Sequence, residues 1–204
     1  MIDDSSEKND QGQVVFSKSQ SSESDSDKIL PLDQLVLPVV PIREGVLFPS
    51  TESVLTFGRD LSLNAINQAA ESDSKYVVLL TQKDPTVDLP DPDDLYQIGS
   101  LAEVDRTLNT EGRVNALVRG IGRVKVASFE TKEPFYQAKV TQLSDFVERD
   151  EEMKALTSHL QKIFRKAIRM GKPVEFLNFM KLMSGVTEGE LADQIASTLN
   201  VKTE

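Results

Sequence analysis

Leu35-Val-Leu-Pro-Val-Val-Pro-Ile42 is the stretch on which the reading of this chain turns. Its apolar, largely β-branched residues predict a strand. Its two prolines, Pro38 and Pro41, each delete a ladder donor, so the strand is expected at a sheet edge or bent at its prolines. Arg43-Glu-Gly45 then turns the chain, Val46-Leu-Phe-Pro49 forms an apolar loop, and Ser53-Val-Leu-Thr-Phe57 predicts a second strand. Tyr76-Val-Val-Leu-Leu-Thr81 is an unbroken apolar run of strand length, and it predicts a buried central strand.

Outward from these strands the pattern stays mixed. Asp60 is a suitable N-cap for a helix over about 61–72, with Leu63, Ile66 and Ala70 on one face. A loop follows from Asp84 to Asp94. Ile98–Leu108 and Arg113–Arg119 read as a hairpin turning at Asn109-Thr-Glu-Gly112. Gly120-Ile-Gly122 interrupts the run, Val124–Phe129 resumes it, and Phe135–Val147 predicts a long last strand. After Glu148 the period changes. Met153, Leu156, Leu160, Ile163, Phe164, Ala167 and Ile168 recur at three- and four-residue spacing, which predicts an amphipathic helix. Gly171 is its expected stop, and Pro173 suits the first turn of a short helix over 173–184. Thr187 with Glu190 forms a capping box for a helix over about 188–199. The class is therefore α+β. The expected organisation is a tail over 1–29, a β domain over 30–147 and a helical subdomain over 148–204.

Composition removes several function classes. The 204-residue chain contains no cysteine, which excludes thiolate metal sites and cysteine nucleophiles. Its one histidine, His159, flanks the apolar seam of the long helix, with no catalytic pattern around it. A net charge of −10 argues against nucleic acid as the main ligand. No apolar run is long enough to span a membrane, and the opening residues lack the pattern of a secretory signal, so the expected location is cytoplasmic. Residues 1–28 hold eight serines and seven acids against three lysines, too little apolar surface to offset the entropy of ordering. Asp84, Asp88, Asp91, Asp93 and Asp94 are interrupted by Pro85, Pro90 and Pro92 and include no glycine. They fit a stiff solvated loop better than a calcium loop. Gly120-Ile-Gly122 lies between strands, where a turn or bulge fits better than a phosphate loop.

Five segments, in order, resemble the N-terminal region of the Lon family of ATP-dependent proteases. They are Leu37-Pro-Val-Val-Pro-Ile-Arg43 with Leu47-Phe-Pro49, Phe57-Gly-Arg59, Lys75–Asp84, Asp93-Asp-Leu-Tyr-Gln-Ile-Gly99, and Val118-Arg-Gly-Ile-Gly-Arg-Val124. The resemblance runs over about residues 35–200. It implies a PUA-like pseudo-barrel followed by a helical bundle. It also implies a non-enzymatic role, helping to select unfolded, damaged or degron-tagged proteins and to assemble a hexamer. A motor using ATP and magnesium and a serine–lysine peptidase belong to the parent enzyme. No Gly-x-x-x-x-Gly-Lys-[Ser/Thr] occurs in this chain, so no cofactor is expected here. Glu204 falls in what resembles the middle of the family's helical region, so a fragment is expected.

Recognition of unfolded chains requires accessible apolar surface. Ile42 ends the first strand, Phe48 stands in the loop after it, Val54 is on the second strand, and Leu108 adjoins the hairpin tip. These four form the expected substrate patch. A second candidate is the apolar helix carrying Phe176, Phe179 and Met180, whose methionines adapt to varied partners. Two other functions compete. A standalone Lon-domain adaptor resembling a ubiquitin-ligase substrate receptor would carry a cysteine-rich zinc module, which a chain without cysteine lacks. RNA binding rests only on analogy with PUA-like folds.

Overall fold

The structure is a computed structural model that describes residues 35–146, 148, 150–171 and 186–198. The elements run β1 (Leu35–Ile42), β2 (Glu52–Phe57), α1 (Asp60–Glu71), β3 (Tyr76–Thr81), β4 (Ile98–Thr110), β5 (Arg113–Thr131), β6 (Tyr136–Leu143), α2 (Glu151–Arg169) and α3 (Glu188–Ser197). The sheet order is β2-β5-β4-β3-β1-β6, and a further β5–β6 pairing closes five of the strands into a ring. This is the mixed pseudo-barrel that the family resemblance implies. β5 makes closure possible because it is 19 residues long. Its first half pairs with β2 over Val114–Arg119, and its second half pairs with β6 over Arg123–Thr131.

β1 is not an edge strand. It lies between β3, to which it is parallel, and β6, to which it is antiparallel. The prolines are accommodated because the two pairings barely overlap. β6 takes Leu35–Val39 and β3 takes Val39–Ile42. The Ile42 carbonyl accepts from Gln82 of the β3 side, whereas the Pro41 carbonyl accepts from the Arg59 guanidinium. Successive residues of a strand face opposite ways, so the donor missing at Pro41 is on the side where no ladder continues.

β5 runs unbroken through Gly120-Ile-Gly122, which forms a bulge, one of the two forms expected there. Leu101 pairs with Gly122 and Ala102 with Gly120, leaving Ile121 as the extra residue. A Cβ on Gly120 would lie 2.1 Å from the Phe48 carbonyl oxygen, so only glycine fits there. The Gly120 N–H donates to Thr51 and its carbonyl accepts from Ser50, which ties the β1–β2 loop to the bulge. At α1 the N-cap is Arg59, and Asp60 is the first helical residue. The last strand stops at Leu143, short of the expected Val147.

Alternate residues of the central strands feed two cores, because side chains alternate across a strand. Val40, Val77, Leu79, Ala102 and Val104 pack with Ala65, Ile66 and Ala69 of α1. Leu37, Val39, Val78, Leu80 and Leu101 pack with Val124, Val126 and Val140. β3 is thus buried on both faces, as its unbroken apolar run predicts. In the expected Asp84–Asp94 loop, Pro92–Asp94 form a single 3-10 turn closed by reciprocal bonds between Asp91 and Asp94.

The helical tract follows its caps. Asp150 accepts from the Met153 N–H at the start of α2, and Gly171, at φ +88°, stops it. Thr187 and Glu190 form the predicted box on α3. Leu191 and Ile195 of α3 pack against Leu160, Phe164 and Val186. The predicted helix over 173–184 and the tail over 1–29 lie outside the described residues. No helix among the described residues is long and apolar enough to cross a membrane.

Candidate functional site

The residues proposed for substrate contact fall on two sides of one edge of the sheet. Val54 pairs with Leu117 of β5, and Leu117 pairs in turn with Arg106 of β4. Leu108 pairs with Asn115, two positions along, so it sits diagonally across from Leu117 on the same face. Val54 is 65% exposed and Leu108 64% exposed, so this outer face of β2–β5–β4 carries an accessible apolar stripe. Arg119 closes one end of the stripe through its ion pair with Glu103 at 2.7 Å. β2 ends the sheet, and its free edge pairs with no described strand. An open edge presents a row of backbone donors and acceptors.

Ile42 and Phe48 do not join that stripe. Ile42 packs against the inner core beside Leu55, which points to the opposite side of β2 from Val54. Phe48 is half-buried in the loop held against Gly120. Phe176, Phe179 and Met180 lie outside the described residues.

Ile42 instead lines a cleft of about 440 Å³ between the ends of β1 and β2 and the start of α1. Leu55 and Phe57 form its apolar wall, while Arg43, Glu44, Thr56, Gly58, Arg59, Ser62 and Arg113 supply polar groups. Arg59 is held in place by neutral acceptors: the Gln82 Oε1 at 2.8 Å, the Asp88 carbonyl at 3.0 Å and the Pro41 carbonyl at 2.7 Å. Burial, and then the charge of Arg43, push its pKa below the ordinary arginine value. Arg43 is itself occupied by Asp88 and the Pro85 carbonyl. The cleft was not legible as a site. Its sequence signal was Phe57-Gly-Arg59, a glycine and an arginine where a strand passes into a helix.

The aspartates of the 84–94 loop are used internally. Asp84 accepts from both the N–H and the hydroxyl of Thr86, which lowers its pKa, and Asp88 pairs with Arg43. A third polar cluster joins α3 to the sheet. Arg123 on β5 contacts both Asp145 and the buried Asp193, and Gln194 donates to the Ser50 carbonyl at 2.7 Å.

Comparison with known proteins places this geometry. Residues 36–204 match the model of the ATP-dependent protease La (LON) substrate-binding domain. The chain belongs to the Lon substrate-binding domain family. The Lon protease of Desulforamulus reducens is 34% identical over 169 residues, covering 82% of this chain and 21% of that protein. The Lon protease of Bacillus thuringiensis is 34% identical over 173 residues, covering 84% and 22%. The chain thus spans about a fifth of the length of the curated relatives it matches. In fold it is similar to the N-terminal domain of Mycobacterium avium complex Lon protease, with a TM-score of 0.54 at 18% identity, covering 80% of this chain and 98% of that one. The family expected from the ordered motifs is the family found.

Proposed function

We propose that this chain is the recognition region of a Lon-type ATP-dependent protease. It binds exposed apolar segments of unfolded or damaged proteins and performs no bond chemistry itself. ATP, magnesium, the peptidase and hexamer assembly belong to the whole protease in this reading. The observation that carries it is the pair of exposed residues Val54 and Leu108, with half-buried Leu117 between their strands, beside the open edge of β2. An unfolded chain differs from a folded one in offering apolar side chains and unpaired backbone together, and this face complements both. Folded proteins offer neither at length, so discrimination needs no sequence code.

The test is binding of a fluorescent, reduced and carbamidomethylated globular protein to the chain, with the native form of the same protein as control. The unfolded form is expected to bind and the native form not to. The double variant Val54→Asp/Leu108→Asp is expected to lose roughly tenfold or more in affinity, because each charge removes an apolar contact worth over a kcal/mol. Both positions are exposed, so its fold is expected to survive. Unchanged binding by that variant refutes the assignment of the face. Ile42→Asp is a poorer probe, because Ile42 also packs against the core.

A further inference from the structure

We propose that the cleft at the start of α1 receives the free α-carboxylate and apolar last side chain of a polypeptide, so that this domain reads chain ends as well as apolar segments. The inference deepens the recognition reading and rests on it. Its first support is Ser62. This residue is 1% exposed, lines the cleft, and its hydroxyl has no hydrogen-bond partner among the described residues. A serine inside a helix ordinarily returns its hydroxyl to a carbonyl of the preceding turn. Ser62 does not, and a buried hydroxyl left unpaired is disfavoured. A turn of the Ser62 side chain toward the cleft would bring the hydroxyl to an acceptor oxygen there.

The second support is charge. Arg59 donates only to neutral acceptors, and the Arg113 guanidinium makes no hydrogen bond or ion pair with any described residue. Glu44 is the single carboxylate on the lining and is exposed at the rim. α1 begins here without a side-chain cap, so the positive end of its dipole also faces this region. Asp60 in the first turn offsets that field in part. Arg59 already has its pKa lowered by burial and by Arg43, and an anion would relieve that pressure.

The third support selects the ligand. A small inorganic anion would leave the wall of Ile42, Leu55 and Phe57 unused. A terminal carboxylate with an apolar side chain uses the wall and the cations together. The cleft also continues the recognition face. Thr56 and Arg113 lie on its lining, and Thr56 pairs with Asn115 on the outer side that carries Val54. The stem of Arg113 passes beside Gly58, where an added Cβ would stand 3.7 Å from the arginine Cγ. A segment lying along the edge of β2 therefore reaches the cleft at Phe57–Gly58.

The experiment uses the full chain and an unstructured decapeptide ending in leucine, fluorescently labelled at its N-terminus. The peptide is compared as the free acid and as the C-terminal amide. The free acid is expected to bind roughly tenfold or more tightly, the value of a charge-assisted contact in a partly desolvated site. Arg113→Gln and Ser62→Ala are each expected to reduce that preference to about threefold or less, mainly by weakening the free acid. Lys154→Gln, on the exposed first turn of α2 and off the cleft lining, is expected to keep the preference. Equal binding of acid and amide, or a preference that survives both cleft variants, overturns the proposal. If the unfolded protein still binds in that case, recognition by the outer face stands and the cleft assignment alone fails. If neither the peptides nor the unfolded protein bind, the recognition reading fails and the cleft assignment falls with it.

Discussion

β3 and α2 are both rich in apolar residues, yet every residue of β3 from Val77 to Thr81 is buried and no residue of α2 is. The difference lies in neighbours. β3 has β1 on one side, β4 on the other, α1 over one face and the second core over the opposite face. α2 meets α3 through Leu160 and Phe164, while Leu156, Ile163 and Met170 stay exposed. Burial of a large apolar side chain stabilises by about 1.5–3 kcal/mol, so the ring holds a large reserve and the helical tract a small one. Among the described residues, the helical tract is held by a small cluster and by the polar contacts of Asp193 and Gln194.

That contrast is most severely tested at the ring. Gly120→Val places a side chain against the Phe48 backbone, which cannot move without pulling the Ser50 and Thr51 bonds. The expected cost is about 3 kcal/mol or more, read as a fall in the denaturant midpoint. A loss within about 0.5 kcal/mol would mean that the bulge is softer than the packing indicates.

At the junction the effect is smaller and local. Asp193→Ala leaves Arg123 with only the exposed Asp145 and is expected to cost about 2 kcal/mol in the docking of α3. Amide exchange in α3 should accelerate while β3 and β4 stay unchanged. Equal acceleration in both would show that the two regions open as one unit.

Tyr136 tests the ring at high pH. Its hydroxyl donates to the Pro90 carbonyl at 2.8 Å, and burial, then Asp91 and Asp94, raise its pKa above the usual tyrosine value. A raised folded pKa means this stabilisation is complete below about pH 10, the unfolded value, and is lost as pH climbs through the folded one. Tyr136→Phe is expected to cost about 1 kcal/mol at neutral pH and to flatten the alkaline fall in stability. A wild-type alkaline fall that persists in the variant assigns it to another group. Smallest of all, Leu156→Ser on the bare side of α2 is expected to change stability by less than about 0.5 kcal/mol in thermal melts.

The ring was largely legible because its signals are local. Tyr76–Thr81 is too apolar to face water on either side, and Thr187 and Gly171 punctuate helices by their own chemistry. What escaped was set by partners distant in sequence. Pro38 and Pro41 read as edge residues because nothing in the run shows that β6 leaves β1 where β3 joins it. Gly120-Ile-Gly122 read as a turn or bulge, but the reason only glycine fits there lies in Phe48, far away in sequence. The candidate patch divided for a similar reason. Val54 and Leu108 share the outer face on either side of β5, but the parity of β2 sends Leu55 to the other side, where Ile42 also packs. The cleft was hidden because Arg113 comes from β5, far in sequence from Arg59 and Ser62 at the start of α1.

Among the described residues, the outer face of β2–β5–β4 and the bare side of α2 both expose large apolar side chains. The direct test places a photo-crosslinking side chain at Leu108, 64% exposed, or at Leu156, 57% exposed, and adds the reduced, carbamidomethylated protein. The two positions are equally accessible, so yield reports where the substrate rests. Crosslinking from position 108 well above that from 156, and abolished by Val54→Asp, is the predicted result. Crosslinking mainly from 156, or equal yields at both positions, would contradict the assignment of recognition to the strand face.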